Sequence, residues 1–226
     1  MTPFKKSERP INKHSLSFVA RLVHLKPFLP RHTDVLEVGC GQGFITEELV
    51  KNNCQVTGID YSKAAIATAS KLPGQYILTD IYHYRPTQKF SFIVCSEVLE
   101  HLKDDKKALQ LMYSWLSPGG RLLISVPTFM PFTTIIQRNS GHYRHYRPQN
   151  LISLVRQVGF EVEKQKPWGC LSRRLILCYL TDYVTQIPHP LLSLIGTVFG
   201  PLIQLETRLW PLPDSLILLL KKPSKK

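Results

Sequence analysis

Hydrophobic and polar positions follow a regular block pattern through the middle of the chain. Apolar runs of strand length recur five times, at 34–40, 55–60, 76–80, 89–97 and 121–127. Stretches with helical spacing separate them, at 44–52, 62–70 and 104–116. Ser117-Pro118-Gly119-Gly120 is expected to stop the last of these helices. Strands that alternate with helices through short connections predict a parallel sheet covered on both faces.

The segments before and after this central part do not follow the same alternation of strands and helices. Helices are predicted at 12–29 and 148–158, and strands at 160–168 and 214–222. Residues 169–213 are apolar and rich in proline. A transmembrane helix needs ~20 uninterrupted apolar residues, so the prolines and glycines here argue against a span. Two interpretations stay open, namely a lid packed on the body or helical segments in a membrane interface.

Length and composition predict one cytoplasmic domain of 226 residues. It would consist of a basic helical arm (1–32), a core (33–168), an apolar insertion (169–213) and a last strand with a basic tail (214–226). The start of the chain does not resemble a signal peptide, and five scattered cysteines without a CxxC pair fit a reducing compartment. The net charge of +13 comes from the flanks, which fits either an anionic partner or a general solubility feature.

A glycine-rich loop with nearby acids is the strongest chemical signal. Glu37-Val38-Gly39-Cys40-Gly41-Gln42-Gly43 follows the first predicted strand, while Asp60 and Asp80 end the second and third. These positions meet at the edge where open α/β sheets bind ligands. The spacing G-x-G-x-G differs from the G-x-G-x-x-G of dinucleotide sites. An acid just before the glycines would repel a diphosphate but suits an ammonium and a sulfonium, which favours S-adenosylmethionine.

The motifs VLEVGCGQGF, GID, FSFIVCSEVLEHLKD and LSPGGRLLISVP resemble those of class I S-adenosylmethionine-dependent methyltransferases. The resemblance implies an α/β, Rossmann-like, seven-stranded and mostly parallel sheet whose antiparallel last strand is inserted beside the fifth. It also implies a role in cofactor binding for ten residues. The loop residues Gly39, Gly41 and Gly43 would wrap the methionine part of the cofactor, Glu37 would orient its amino end, and Asp60 would hold the ribose. Asp80 would contact the adenine amine, and Tyr61 and Ile81 would flank the ring. Ser96 and Glu97 would line the methyl-donor side.

Two histidines are the catalytic candidates, because a hydroxyl acceptor benefits from a nearby base. His101 closes the run Glu97-Val98-Leu99-Glu100-His101, which resembles that of ubiquinone-biosynthesis O-methyltransferases and of small-RNA 2′-O-methyltransferases. Glu97, Glu100 and His101 could bind a divalent metal, although we favour a role for Glu100 and His101 in holding the loop. His142 begins the run HYRHYRP, whose histidines, tyrosines and arginines could grip an anionic or aromatic acceptor or could simply pack. His142 would act there as a base or as a metal partner of His101.

The function expected from these features is O-methylation of a small, lipophilic or membrane-derived acceptor. Lysines 221, 222, 225 and 226 could hold the tail to anionic lipid on the inner face of the membrane. An RNA 2′-O-methyltransferase is the alternative, but no RRM or KH signature is present, so nucleic acid is a less favoured partner. A non-catalytic, cofactor-binding or membrane-docked subunit is a further alternative, against which the intact glycines and acids argue.

Overall fold

The structure, a computed structural model, describes residues 16–128, 142–169 and 215–224. The predicted insertion beyond residue 169 and the last two lysines of the tail lie outside these ranges. Among the helices that the structure describes, none has the length and apolar character needed to cross a membrane.

Seven strands form one sheet in this part of the chain, in the order β3-β2-β1-β4-β5-β7-β6. They are β1 Asp34–Val38, β2 Gln55–Asp60, β3 Gln75–Leu78, β4 Phe90–Ser96, β5 Leu116–Pro127, β6 Glu161–Trp168 and β7 Ser215–Lys221. Strands β1 to β5 pair in parallel, and β7 runs antiparallel between β5 and β6. The predicted fold class is therefore confirmed, including the position of the last strand beside the fifth.

Five helices accompany the sheet within the same ranges: α1 Leu16–Leu25, α2 Phe44–Lys51, α3 Lys63–Ala69, α4 Asp105–Trp115 and α5 Pro148–Val158. Two short 3-10 turns, Lys26–Phe28 and Leu99–His101, follow α1 and precede α4. The core forms one apolar layer on each face of the sheet. Strand β4 serves both layers, since Ile93 and Cys95 point to one and Phe92 and Val94 to the other. Burial on both faces explains why β4 reads as a continuous apolar run.

The crevice for a ligand lies where the strand order reverses. From β1 the chain moves outward to β2 and β3, and then returns to place β4 on the other side of β1. The connections that leave β1 and β4 therefore diverge and open a crevice at the carboxyl ends of the two strands. The glycine loop follows β1 and Glu97 follows β4, so both lie at this edge.

Two predicted boundaries differ from the observed ones. Strand β5 starts at Leu116 because the four turn-forming residues after it bulge out of the ladder, so that Leu116 pairs with Phe90 and Arg121 with Phe92. The third strand ends at Leu78 rather than at Asp80. The carboxylate of Asp80 accepts the backbone N–H of residue 82 at 2.7 Å, and such a local turn competes with strand pairing.

One of the tail lysines has a structural role. The Nζ of Lys222 donates hydrogen bonds to the carbonyl oxygens of Tyr113 and Leu116, at 2.9 and 2.8 Å. These carbonyls belong to the end of α4, where a cation is favourable. The charge of Lys222 therefore stabilises the fold, and the lipid contact expected of the tail lysines remains a prediction.

Candidate active site

The three loop glycines all adopt left-handed backbone angles, with φ of 70°, 55° and 87° at Gly39, Gly41 and Gly43. A Cβ on Gly39 would lie 2.3 Å from a methyl carbon of Val98, so close packing demands glycine there. A Cβ on Gly41 would meet nothing within 4 Å. The loop therefore packs tightly against the residues after β4 on one side and presents open space at Gly41, where a ligand can approach the backbone.

Asp60, at the end of β2, holds the glycine loop in place. Its carboxylate accepts the backbone N–H of Gly41 at 2.9 Å and that of Ser62 at 2.8 Å. The structure thus brings Asp60 to the glycine loop, as the strand order requires. Its contact with a ribose remains a prediction, and the carboxylate has one more function than expected, since it also fixes the path of the loop.

Glu37 is the most perturbed acid of the site. It is only 2% exposed, and the hydroxyl of Thr46 on α2 donates a hydrogen bond to its carboxyl group. Burial raises the pKa of Glu37 to about 8, the hydrogen bond from Thr46 lowers this pKa, and the nearby charge of Asp60 raises it. Glu37 is therefore mostly protonated at neutral pH. A cation placed beside it would stabilise its ionised form, so the residue suits a ligand that carries an ammonium group.

The predicted adenine side is more exposed. Tyr61 is 63% exposed, and Asp80 lies exposed in the turn after β3. Ile81, by contrast, is 5% exposed and belongs to the apolar layer that also contains Val38 and Ile59. Tyr61 and Asp80 can therefore reach a ligand with their side chains, whereas Ile81 mainly supports the floor of the crevice.

The predicted methyl-donor side contains a chain of polar groups. The hydroxyls of Ser96 and Ser125 lie 2.7 Å apart, and Ser125 donates to the Oε1 of Glu97 at 3.0 Å. The Oε2 of Glu97 lies 3.5 Å from a guanidinium nitrogen of Arg21 on α1. Sequence reasoning missed two of these residues. Ser125 could have been found as the lone polar residue of the apolar run LLISVP, but no local signal marks Arg21.

Both candidate catalytic histidines lie together beyond β4 and β5. The ring centroids of His101 and His142 are 4.6 Å apart, in an edge-to-face arrangement. The Nδ1 of His142 lies 3.2 Å from the Nε2 of His145. Glu100 is fully buried, and its Oε1 lies 3.9 Å from the Nε2 of His101. The structure therefore places His101 and His142 side by side, with His145 of the same run beside His142, while their roles as base or metal partner remain predictions.

The metal set considered from sequence differs from the group that the structure brings together. Glu97 is turned toward Ser125 and Arg21, whereas Glu100, His101 and His142 have one ligand-type atom each within 4.8 Å of the others. A sulfonium is already an activated leaving group, so methyl transfer from it requires positioning and a base but no metal. The roles of these three residues, on the acceptor side or as metal ligands, remain predictions.

Two residues of the HYRHYRP run anchor it. The guanidinium of Arg144 donates to the carbonyl oxygens of Leu102 and Lys103, both at 2.6 Å. Tyr146 is buried, and its hydroxyl donates to Asp105 at 2.8 Å. Of the two interpretations left open for this run, the structural one therefore describes Arg144 and Tyr146, which bind the run to the loop before α4 and to the first residue of that helix.

Comparison with known proteins agrees with this geometry. A family model described as a methyltransferase domain matches residues 11–165, more than half of the chain. The chain belongs to this family, and the resemblance carried by its motifs is confirmed.

Several curated relatives are named ubiquinone biosynthesis O-methyltransferase. The protein of Coxiella burnetii is 33% identical over 122 residues, which are 51% of this chain and 50% of that protein. The protein of Xanthomonas axonopodis pv. citri is 27% identical over 180 residues, 67% of this chain and 75% of that protein. The chain thus spans about half the length of the Coxiella relative that it matches.

Solved structures share the fold at lower identity. The N-methyltransferase NodS from Bradyrhizobium japonicum, in complex with S-adenosyl-L-homocysteine, matches with a TM-score of 0.61 and 20% identity, over 90% of this chain and 85% of that chain. The [4+2]-cyclase SpnF matches with a TM-score of 0.68 and 19% identity, over 92% and 83%. Because proteins of this fold carry different names, the reaction has to be argued from the site.

Proposed function

We propose that this protein is an S-adenosylmethionine-dependent methyltransferase that methylates an oxygen atom of a small-molecule acceptor. One observation carries the proposal. A buried, protonated acid and an open glycine loop lie at the carboxyl edge of β1, and a histidine pair lies beyond β4 and β5 at the same end of the sheet. The first group suits the cationic end of the donor, and the second suits an acceptor hydroxyl.

The donor, when bound, supplies a methyl group on a sulfonium. The residues of the chain would then hold and orient the reactants. Glu37 would ionise and hold the amino group, the loop at Gly41 would border the methionine part, and Asp60 would contact the ribose hydroxyls. His142, with His101 against its ring, would take the proton of the acceptor hydroxyl.

The acceptor class is a finer proposal. Relatives named ubiquinone biosynthesis O-methyltransferase support an oxygen atom and a lipophilic acceptor. The exposed Tyr143, whose backbone N–H donates to the carbonyl of Glu100 at 2.9 Å, offers an aromatic face beside the histidines. The excess of basic residues in the flanks supports contact with an anionic membrane surface, as expected for a cytoplasmic enzyme that is peripheral to the membrane.

Binding and transfer should be tested separately. Isothermal titration calorimetry should show that the wild type binds S-adenosylmethionine and that Asp60→Ala loses most of this affinity. Transfer of a radiolabelled methyl group to cell extract, separated into lipid, small-molecule and RNA fractions, should label the lipid or small-molecule fraction. Label in RNA would favour the nucleic-acid alternative. Binding of the donor without label in any fraction would contradict an enzyme and favour a non-catalytic subunit.

The histidines and the membrane contact need their own measurements. His101→Ala and His142→Ala should slow transfer while donor affinity stays unchanged, and full turnover in either variant would remove that residue from the mechanism. The full chain should float with vesicles that contain phosphatidylglycerol and stay behind with vesicles of phosphatidylcholine alone. Equal flotation with both vesicles, or with neither, would contradict an electrostatic membrane contact.

A further inference from the structure

We propose that His145 is a positioning residue that holds His142 in the tautomer required of a base. This inference rests on the proposed function, because it concerns the histidine assigned there to the acceptor proton. The observation behind it is the hydrogen bond between the two rings, in which the Nδ1 of His142 and the Nε2 of His145 lie 3.2 Å apart. One hydrogen lies between these two atoms. Whether it is bonded to His142 or to His145 decides whether the Nε2 of His142 can accept a proton.

A neutral imidazole carries its proton on one nitrogen and a lone pair on the other. If His142 donates from Nδ1 to His145, the lone pair of His142 is on Nε2, and Nε2 can accept a proton. If His145 donates instead, the Nε2 of His142 already carries a hydrogen and cannot act as a base. Only the first arrangement is productive, and it requires His145 to accept at Nε2 and to keep its own proton on Nδ1.

The proposed arrangement needs a neutral His145. The Nδ1 of His145 is buried in the structure, and burial disfavours the doubly protonated, charged form of a histidine. A neutral ring has one acceptor nitrogen, and the proposal assigns this role to the Nε2, the nitrogen that faces His142. Around this pair, the ring of His101 contacts that of His142 and lies beside Glu100, and Arg144, the residue before His145, pairs with Asp105.

The backbone keeps the two rings in register. Immediately after His142, the N–H of Tyr143 donates to the carbonyl of Glu100 at 2.9 Å. Immediately after His145, Tyr146 forms a parallel bridge with Thr128, the residue that follows β5. Arg144 fixes the segment between them, as described above. The spacing of the pair is thus set by contacts on both sides and does not depend on the two rings alone.

In the transfer step, the acceptor oxygen forms a bond to the donor methyl carbon while the carbon–sulfur bond breaks and leaves its electron pair on sulfur. The hydroxyl proton moves to the Nε2 of His142. The resulting imidazolium of His142 donates a hydrogen bond from its Nδ1 to His145, and this bond stabilises the positive charge. His142 later releases the added proton from its Nε2 to water. His145 therefore acts through His142 and never needs to touch the acceptor.

Nitrogen NMR of the full chain tests this inference directly. Long-range ¹H–¹⁵N spectra of the histidine rings should show His142 as the Nδ1–H tautomer in the wild type. The same tautomer should persist in His145→Gln, whose amide oxygen can still accept a hydrogen bond, and should change to Nε2–H in His145→Leu. An Nε2–H tautomer in the wild type, or an unchanged tautomer in His145→Leu, would overturn the proposal. This readout requires no acceptor, so it can succeed or fail independently of the proposed function.

Kinetics then separate positioning from a general loss of structure. His145→Leu should lower kcat by roughly 10-fold or more, with the donor KM within twofold of the wild-type value, and His145→Gln should recover most of kcat. The matched control is His32→Asn, which replaces an exposed histidine before β1 at a φ of 52° that asparagine tolerates. Equal loss of kcat in His145→Leu and His145→Gln, or a proportional loss of donor binding, would indicate a structural role only.

Discussion

Replacing Glu37 by glutamine should change how the stability of the protein depends on pH. The carboxyl group is 2% exposed, and its pKa rises from an ordinary value of 4.5 to about 8. A raised pKa means that the folded state holds this proton over a range where the unfolded chain has lost it. The corresponding stability is complete below pH 4.5, declines by about 1.4 kcal/mol for each pH unit above it and is gone above pH 8, a total on the order of 5 kcal/mol.

Glutamine has the shape of the protonated acid and keeps an oxygen that can accept the hydrogen bond from Thr46. Glu37→Gln should therefore match the wild type in free energy of unfolding near pH 4 and exceed it by several kcal/mol near pH 8.5. Urea unfolding at half-unit pH intervals measures both curves, and their difference isolates Glu37 from groups that titrate identically in the two proteins. Parallel curves from pH 5 to 9 would refute a buried, protonated Glu37.

The same acid connects donor binding to proton release. If the ammonium group of S-adenosylmethionine stabilises ionised Glu37, binding at pH 7 should release close to one proton, because the free protein is mostly protonated there. Calorimetric titrations in buffers of different ionisation enthalpy count this proton. Glu37→Gln should bind more weakly and release none. The absence of proton release by the wild type would remove Glu37 from the amino-end contact while leaving the stability experiment intact.

Three further variants test packing and surface charge. Gly39→Ala should lower the free energy of unfolding by about 2–4 kcal/mol in urea titrations, because the new methyl group overlaps Val98 and the backbone angle is unfavourable. Gly41→Ala should lower the free energy of unfolding by only about 1–2 kcal/mol, from the unfavourable backbone angle, because the new methyl group meets nothing. Calorimetry should nevertheless show weaker donor binding by this variant. A larger loss of stability than in Gly39→Ala would contradict the close-packing argument. Arg121→Ala should lower the free energy of unfolding by less than about 1 kcal/mol, since the ion pair of Arg121 with Glu163 is largely exposed. The arginine lowers the pKa of Glu163, so the difference between variant and wild type should fade as acid protonates this carboxylate. A difference that persists at pH 3 would show that the ion pair is not its cause.

Much of the fold could be predicted from local patterns. Strands β1 and β4 are buried on both faces, so their apolar runs stand out from the helical stretches around them. Short connections between alternating elements then leave few topologies. The residues at which strands begin and end were less predictable where two local preferences compete. The turn-forming residues after Leu116 were expected to delay β5, but the sheet absorbs them as a bulge, and Asp80 replaces a strand end by a turn of its own.

The sequence by itself determined the glycine loop and the placement of Asp60 at its edge, because residues that end neighbouring parallel strands must meet at one side of a sheet. Only the tertiary structure decided which side chains touch across elements. It turned Glu97 toward Arg21 and Ser125, and it brought His101 against His142 through hydrogen bonds between segments far apart in the chain. It also decided that Glu37 holds a proton, since burial is a property of the packed molecule and not of the residue or its neighbours in sequence.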